Sequence, residues 1–526
     1  MAGLIKAILV LQHGVVPPNL HQHSPNPAIP WDALPIQLPR ELVLLPDRGR
    51  PPLAGVSSFG LTGTNAHVVV TTDHPGVGEP AAPDEPAAAL SVQLLPLSGN
   101  TPEARDALAR SYLDFLASAP ADAQWWRDVV HCAASRRTHH DSRMAVVADS
   151  PAEAAGALRD FLEAGTAPGV LAGDFVDEAR PRIAFVFPGQ GSQWIGMGRE
   201  LLDTERVFLD AMRECDQVIA GENGWSVIDL LRGQDTDRFT ELDVIQPTLW
   251  AMEVALAALW RSWGIEPDVV LGHSMGESAA AVVAGALSLA DSGAVICRRS
   301  RIAKRRSGHG TMAWVELSST DAAQAIAGHE HEVSIAAANS PSSTLLSGDR
   351  EALAAILGEL DRREVFNRWI NVDFASHGPQ MDEILDDLRA ELGGIRPRPG
   401  TIPIHSTLLN DVIDGSQLDA HYWARNIREP VDFVGSVTAE LAAGPILFIE
   451  ISPHPVLVSS IDTTIRAVGG EGGAAPSLRR EERERATMLT TLGTLYARGV
   501  YVDWAAVTGG GRFVDLPRYP WQRNSY

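Results

Sequence analysis

The run Leu271-Gly272-His273-Ser274-Met275-Gly276-Glu277 sets a G-x-S-x-G turn between the apolar stretch Asp268-Val269-Val270 and a small-residue stretch from Ser278 to Ala290. Strand, sharp turn, then helix is the pattern of a nucleophile elbow, in which the turn pushes one hydroxyl out of the backbone at the end of an α/β sheet. The glycines two residues either side of Ser274 leave room for that turn and for close approach of neighbouring backbone. A helix starting there aims free N–H groups and the positive end of its dipole at any oxyanion formed beside the serine. Covalent acyl chemistry at Ser274 is therefore expected, although the turn alone points equally well to a lipase-like hydrolase, with a tight turn carrying a bystander serine as the lesser alternative.

The chain has 526 residues, more than one hydrophobic core of ~250–300 residues accommodates, so several domains are expected. A net charge of −23 argues against nucleic acid or an anionic membrane as partner, because both would be repelled. Cys132, Cys215 and Cys297 are far apart and without C-x-x-C spacing, which fits a reducing cytoplasm with neither disulfides nor a zinc site. His131-Cys132 and His139-His140-Asp141 read as polar flanks of a strand rather than as a metal cluster. The apolar run Ala7 to Leu11 breaks at Gln12-His13 with no cleavage site after it, so it is not read as a signal peptide. No run is read as reaching the ~18 apolar residues of a membrane helix.

Residues 1–71 open mid-helix and end in a glycine turn, Gly60-Leu61-Thr62-Gly63-Thr64, that enters a strand through Val70; the segment reads as the tail of a domain. Residues 72–92 are rich in Pro, Gly, Ala and acid and read as a loop. A small α/β unit is expected over 93–180, with strands near 92–98 and 143–148 and helices over 102–118 and 151–164. Strands 182–187, 269–271 and 446–451 with helices between them predict a mostly parallel sheet covered on both faces. Within it, 312–373 shows a βαββαβ rhythm, a ferredoxin-like insertion that divides the large subdomain into 181–311 and 374–470. The last region, 471–526, starts in glycines and ends extended and aromatic at Leu516 to Arg523.

A serine hydroxyl is a poor nucleophile until a base takes its proton, and histidine suits neutral pH. Among the 16 histidines, His377 in Asp373-Phe374-Ala375-Ser376-His377 lies in a small-residue loop where the insertion returns to the main sheet. Such strand-end loops are where α/β proteins gather catalytic groups. A second glycine turn, Phe187-Pro188-Gly189-Gln190-Gly191-Ser192-Gln193, lacks the third glycine of a dinucleotide fingerprint and instead suits a backbone N–H donor to an oxyanion. In Cys297-Arg298-Arg299-Ser300-Arg301 a guanidinium offers paired donors matching a carboxylate, unless the arginines merely form a solvated helix face.

Taken in order, Phe-Pro-Gly-Gln-Gly-Ser-Gln at 187–193, Gly-His-Ser-Met-Gly-Glu at 272–277, Arg-Arg-Ser-Arg at 298–301 and Phe-Ala-Ser-His at 374–377 resemble the malonyl-CoA:acyl-carrier-protein transacylase family. More narrowly, they resemble the acyltransferase domain of a modular polyketide synthase. Gly-Thr-Asn-Ala-His at 63–67 resembles the C-terminal end of a ketosynthase. Residues 93–180 resemble the ketosynthase-to-acyltransferase linker, and Leu-Pro-Arg-Tyr-Pro-Trp-Gln-Arg at 516–523 the post-acyltransferase linker. Ketosynthase activity itself is not expected, since that domain's nucleophilic cysteine and histidine motif are missing from 1–71.

The resemblance implies Ser274 as nucleophile, His377 as general base and acid, and Arg299 as the group binding the free carboxylate of the extender unit. It also implies an oxyanion hole from the backbone N–H groups of Gln190 and Met275. Asn426 would orient His377 through its backbone carbonyl, in place of a hydrolase's acid. The implied substrates are malonyl-CoA or methylmalonyl-CoA, with no bound cofactor and no metal. The implied acceptor is the phosphopantetheine thiol of an acyl carrier protein, with the rest of a ketosynthase as neighbour and this fragment monomeric. Phe374, Ser376 and Gln246 bear on specificity: Phe-Ala-Ser-His is nearer the family's methylmalonyl pattern (Tyr-Ala-Ser-His) than its malonyl pattern (His-Ala-Phe-His), and Leu242-Asp243-Val244-Ile245-Gln246 agrees. The competing readings are a G-x-S-x-G serine hydrolase or thioesterase, and an inactive docking scaffold.

Overall fold

Strands that are apolar at successive positions need cover on both faces. Ile183 to Phe187, Val269 to Gly272 and Ile446 to Glu450 are buried at every position and meet that requirement by pairing in parallel. They form the centre of a six-stranded sheet in the order Asp411–Ile413, Ile404–Ser406, Val269–Gly272, Arg182–Phe187, Ile446–Glu450, Gly472–Pro476, antiparallel only at the Asp411–Ile413 edge. The register sets Phe187 opposite Gly272, so the loops leaving these two strands begin side by side. The expected boundary at 471 falls inside this sheet: Gly472–Pro476 pairs along the whole of Ile446–Glu450, because its small residues fit an edge covered by the helix Val458–Val468.

The computed structural model describes residues 1–21, 24–72, 92–120, 122–175, 180–233, 237–372 and 374–522, and the chain divides into units Met1–Glu85 and Pro86–Tyr526. The first unit holds the helix Ala2–His13 and the hairpin Leu53–Phe59 with Asn65–Thr71. Leu11 is its one buried apolar side chain among the described residues, while Leu53, Phe59, Val68 and Val69 face solvent. The loop expected at 72–92 lies outside the described residues apart from its two ends.

In the second unit the insertion has the expected βαββαβ order, from Thr311–Val315 to Asn367–Ile370. Its strands lie in the order fourth, first, third, second, and a short strand from the large subdomain, Val431–Asp432, adds in parallel to Val333–Ser340. The helix Leu242–Ser262 corrects one expectation, being long and apolar enough by composition to cross a membrane. It is instead the central core helix, buried at nearly every position from Leu242 to Trp260.

The unit beginning at 93 is an antiparallel sheet of Gln93–Gly99, Ser142–Ala148 and Val170–Asp174. Helices Pro102–Ala117, Ala123–Ser135 and Pro151–Ala164 start at the side-chain caps Thr101, Asp122 and Ser150. The second of these helices and the third strand had no sequence expectation. The helix Glu484–Ala497 lies against this sheet, and its Met488, Leu489 and Leu492 share one core with Leu94, Ala145, Phe185 and Trp260. Residues 511–522 then run without helix or strand against the same unit, where Tyr519 Oη accepts from the Asn100 N–H at 2.9 Å and the Arg512 carbonyl accepts from Cys132 Sγ at 3.1 Å. Since that core is continuous, Leu492→Ala should cost ~2–5 kcal/mol. Chemical denaturation should show one transition shifted as a whole, rather than the 93–175 unit melting separately.

Candidate active site

The elbow is built by the absence of side chains. A Cβ on Gly276 would lie 2.1 Å from the Phe187 carbonyl oxygen, and one on Gly272 2.3 Å from Glu277 Cα. Only glycine permits these approaches, and they force Ser274 into the left-handed region at φ 54°. The helix Gly276–Val283 begins directly after it.

His377 also sits at positive φ, 58°, in the loop that follows the insertion. Its N–H donates to the Ile427 carbonyl at 2.9 Å, and its own carbonyl accepts from Ser334 Oγ of the insertion at 2.6 Å. Nδ1 lies 2.7 Å from the Glu429 carbonyl oxygen, which can only accept, so the ring proton is on Nδ1. Nε2 is then the free lone pair, 2.7 Å from Ser274 Oγ. Burial, followed by the nearby Arg299 charge, lowers the His377 pKa to about 3. The imidazole is therefore neutral, in the form a general base requires.

The expected role of Asn426 is corrected. The carbonyl orienting His377 belongs to Glu429, while the Asn426 side chain donates to the Ser274 carbonyl at 3.2 Å and to Glu277 at 3.0 Å. The helix Ala420–Arg428 ends just before Glu429, and Pro430 holds Glu429 extended at φ −90°, ψ 157°, which turns its carbonyl outward. The Arg-Glu-Pro sequence was the available signal.

Arg299 is buried on the helix Leu289–Ala303. It donates to Gln246 Oε1 at 3.0 Å and to Ser274 Oγ at 3.2 Å, while its Nε has no partner. Burial lowers its pKa to about 10, so it remains charged at neutral pH. Arg298 and Arg301 instead bind Glu222, Asn223 and the Glu391 carbonyl, away from the serine. Among the described residues, neither the Gln190 nor the Met275 N–H has an acceptor. Both residues line the cleft between the large subdomain and the insertion, about 630 Å³ in volume. Phe374 and Ser376 are buried in its wall, with Ser376 Oγ 3.5 Å from Met312 Sδ.

Two groups escaped the sequence reading. His273 Nε2 meets Asn339 Oδ1 at 2.9 Å, tying the elbow to the insertion. Glu277, buried in the first turn of the elbow helix, gathers donors from Thr407, Tyr422 and Asn426. Their place inside the elbow sequence was a signal, but their partners lie far away in the chain. No group of three metal-binding side chains occurs among the described residues. His131, Cys132 and His139 bond to Thr508, Arg512 and Ala134.

Family profiles match this chain twice: "Acyl transferase domain" over residues 184–502 and "Ketoacyl-synthetase C-terminal extension" over residues 25–147. The chain is 40% identical to polyketide synthase GfsB of Streptomyces halstedii over its whole length, spanning 10% of that protein. It is likewise 40% identical over 99% of its length to an erythronolide synthase of Saccharopolyspora erythraea, spanning 16% of it. Among solved structures, the acyltransferase domain from module 8 of the salinomycin polyketide synthase aligns with a TM-score of 0.74 at 38% identity, covering 79% of this chain and 98% of that one. The serine, its neutral histidine and the fold around them agree with these likenesses, and the chain belongs to the acyl transferase domain family of polyketide synthases, with a ketoacyl-synthetase C-terminal extension ahead of that domain.

Proposed function

We propose that this acyltransferase loads a carboxyacyl extender unit, methylmalonyl in preference to malonyl, from CoA onto the phosphopantetheine thiol of an acyl carrier protein. The observation that carries the reading is Arg299, a buried guanidinium 3.2 Å from the nucleophilic oxygen with an unpartnered Nε. No carboxylate is hydrogen-bonded to it among the described residues. A buried cation lacking a bonded anion is costly, and a substrate carboxylate offsets that cost. A hydrolase has no need of such a group, and the carbonyl behind His377 replaces the acid typical of hydrolase triads.

In the first half-reaction His377 Nε2 takes the Ser274 proton as Oγ attacks the thioester carbon. The oxyanion is received by the Gln190 and Met275 N–H groups, and the CoA thiolate leaves with the proton returned by His377. In the second half-reaction His377 Nε2 takes the carrier thiol's proton, the sulfur attacks the acyl-serine carbon, and the Oγ–C bond breaks as His377 returns that proton to Ser274 Oγ. A carboxylate seated on Arg299 would neutralise the charge that, after burial, lowers the His377 pKa. The proposed chemistry runs on side chains and backbone N–H groups without a resident cofactor, and its proposed setting is the cytoplasm, where CoA thioesters and carrier proteins meet.

The methylmalonyl preference is supported by the small Ser376 in the cleft wall, its hydroxyl 3.5 Å from the Met312 sulfur. A phenylalanine there would fill the space that an added methyl occupies. One methyl discriminates by ~1–3 kcal/mol, so methylmalonyl-CoA should load ~10–200-fold faster than malonyl-CoA in a carrier-loading assay. Ser376→Phe should reverse the order, and equal loading by the wild type would remove the preference. Arg299→Ala should lower kcat/KM for either carboxyacyl-CoA by ~30-fold or more while sparing acetyl-CoA. The lowered pKa of His377 fixes the sign of the pH response: the base is lost only in acid, so kcat/KM should stay level from pH 8 to below 6. An acid limb near the ordinary histidine value of ~6.5 would contradict that burial.

A further inference from the structure

We propose that Glu277 is a positioning residue whose buried carboxylate locks the helix Ala420–Arg428 to the elbow helix and thereby sets the distance between Ser274 and His377. The inference rests on the reading of Ser274 as nucleophile and His377 as base.

Glu277 is 1% exposed, and each carboxylate oxygen is occupied. Oε1 accepts from the Thr407 N–H at 2.9 Å, and Oε2 accepts from Tyr422 Oη at 2.6 Å and Asn426 Nδ2 at 3.0 Å. The Thr407 hydroxyl lies 2.9 Å from Oε1 and 2.7 Å from the Gly272 carbonyl, so its single proton is shared between the two. The Thr407 N–H and the Asn426 amide can only donate, which suits the ionised carboxylate rather than the acid. Burial opposes ionisation and raises the pKa of Glu277, while these hydrogen bonds counter the rise. Arg299 supplies a nearby positive charge, and Glu277 in turn helps Arg299 stay protonated.

Tyr422 and Asn426 are four residues apart and lie on one face of their helix, so a single carboxylate grips two successive turns. The same helix end serves both reacting groups. Asn426 Nδ2 holds the Ser274 carbonyl, and the Ile427 and Glu429 carbonyls hold the His377 N–H and Nδ1–H. Both Ser274 and His377 have left-handed backbone, a conformation that persists only where its surroundings impose it. Glu277 joins the two supports although it touches neither reacting atom.

The test uses a fluorophosphonate probe, which needs no acyl-CoA and no carrier. Ser274 Oγ bonds to phosphorus, fluoride leaves, and the serine proton passes to His377. Wild type should label at Ser274 and Ser274→Ala should not; absence of wild-type labelling would overturn the nucleophile reading itself. Glu277→Gln should label at least roughly tenfold more slowly, with the unfolding midpoint little changed and KM for the carboxyacyl-CoA in the loading assay preserved. Asn426→Ala should also slow labelling, and the double variant should be no slower than the slower single variant. Multiplying effects, or a Glu277→Gln rate equal to wild type, would overturn the positioning role while leaving the proposed function standing. Should Glu277→Gln fail to fold, Tyr422→Phe removes one donor to the same carboxylate, and labelling by it at the wild-type rate would overturn the proposal.

Discussion

The close backbone approach at Gly276 governs everything around it. A Cβ on Gly276 would collide with the Phe187 and Pro188 carbonyls at the exit of the strand Arg182–Phe187, so the bare glycine lets the elbow and the Gln190 loop emerge as neighbours from adjacent parallel strands. Any side chain there would separate the nucleophile from the N–H groups meant to receive its oxyanion. The contact also fixes where the elbow helix begins, and hence where Glu277 enters the core. Catalytic geometry in this chain is thus a consequence of sheet register combined with a missing Cβ.

Around that contact the site holds its charges dry. A neutral histidine, a guanidinium and a carboxylate are all buried within one small region. Low polarity strengthens each interaction, and it makes each unpaired charge expensive. Glu277 is met by protein donors, whereas Arg299 is only half satisfied. The imbalance leaves one place in the site that calls for an anion.

The insertion and the flanking unit are joined to this centre in different ways. The insertion contributes polar contacts, Asn339 to His273 and Ser334 to the His377 carbonyl, and one wall of the cleft through Met312. Movement of the insertion would therefore disturb the base and the elbow together. Among the described residues, the unit beginning at residue 93 contributes no group to the cleft, and it is joined through apolar packing under the helix Glu484–Ala497. Chain far past the catalytic loops thus closes the core of a unit that precedes them.

Much of the site was written locally. The elbow, the Gln190 turn, Arg299 on the next helix and His377 after the insertion are short patterns whose chemistry depends on residue type and immediate neighbours, so the sequence alone singled out groups that the fold gathers around one cleft. It also determined the parallel sheet and the βαββαβ insertion, because periodicity and run length are local properties. Assignments that depend on distant partners were decided only by tertiary structure. The carbonyl behind His377 moved from Asn426 to Glu429 because a helix end and Pro430 set its direction. The strand Gly472–Pro476 joined the sheet because its partner, more than twenty residues earlier, offered an open edge. The apolar helix Leu242–Ser262 became a core rather than a membrane span because other elements surround it. Hydrogen bonds and burial between remote segments carry no local signature, which is why the sequence named the groups of the candidate site and the fold alone decided what holds them in place.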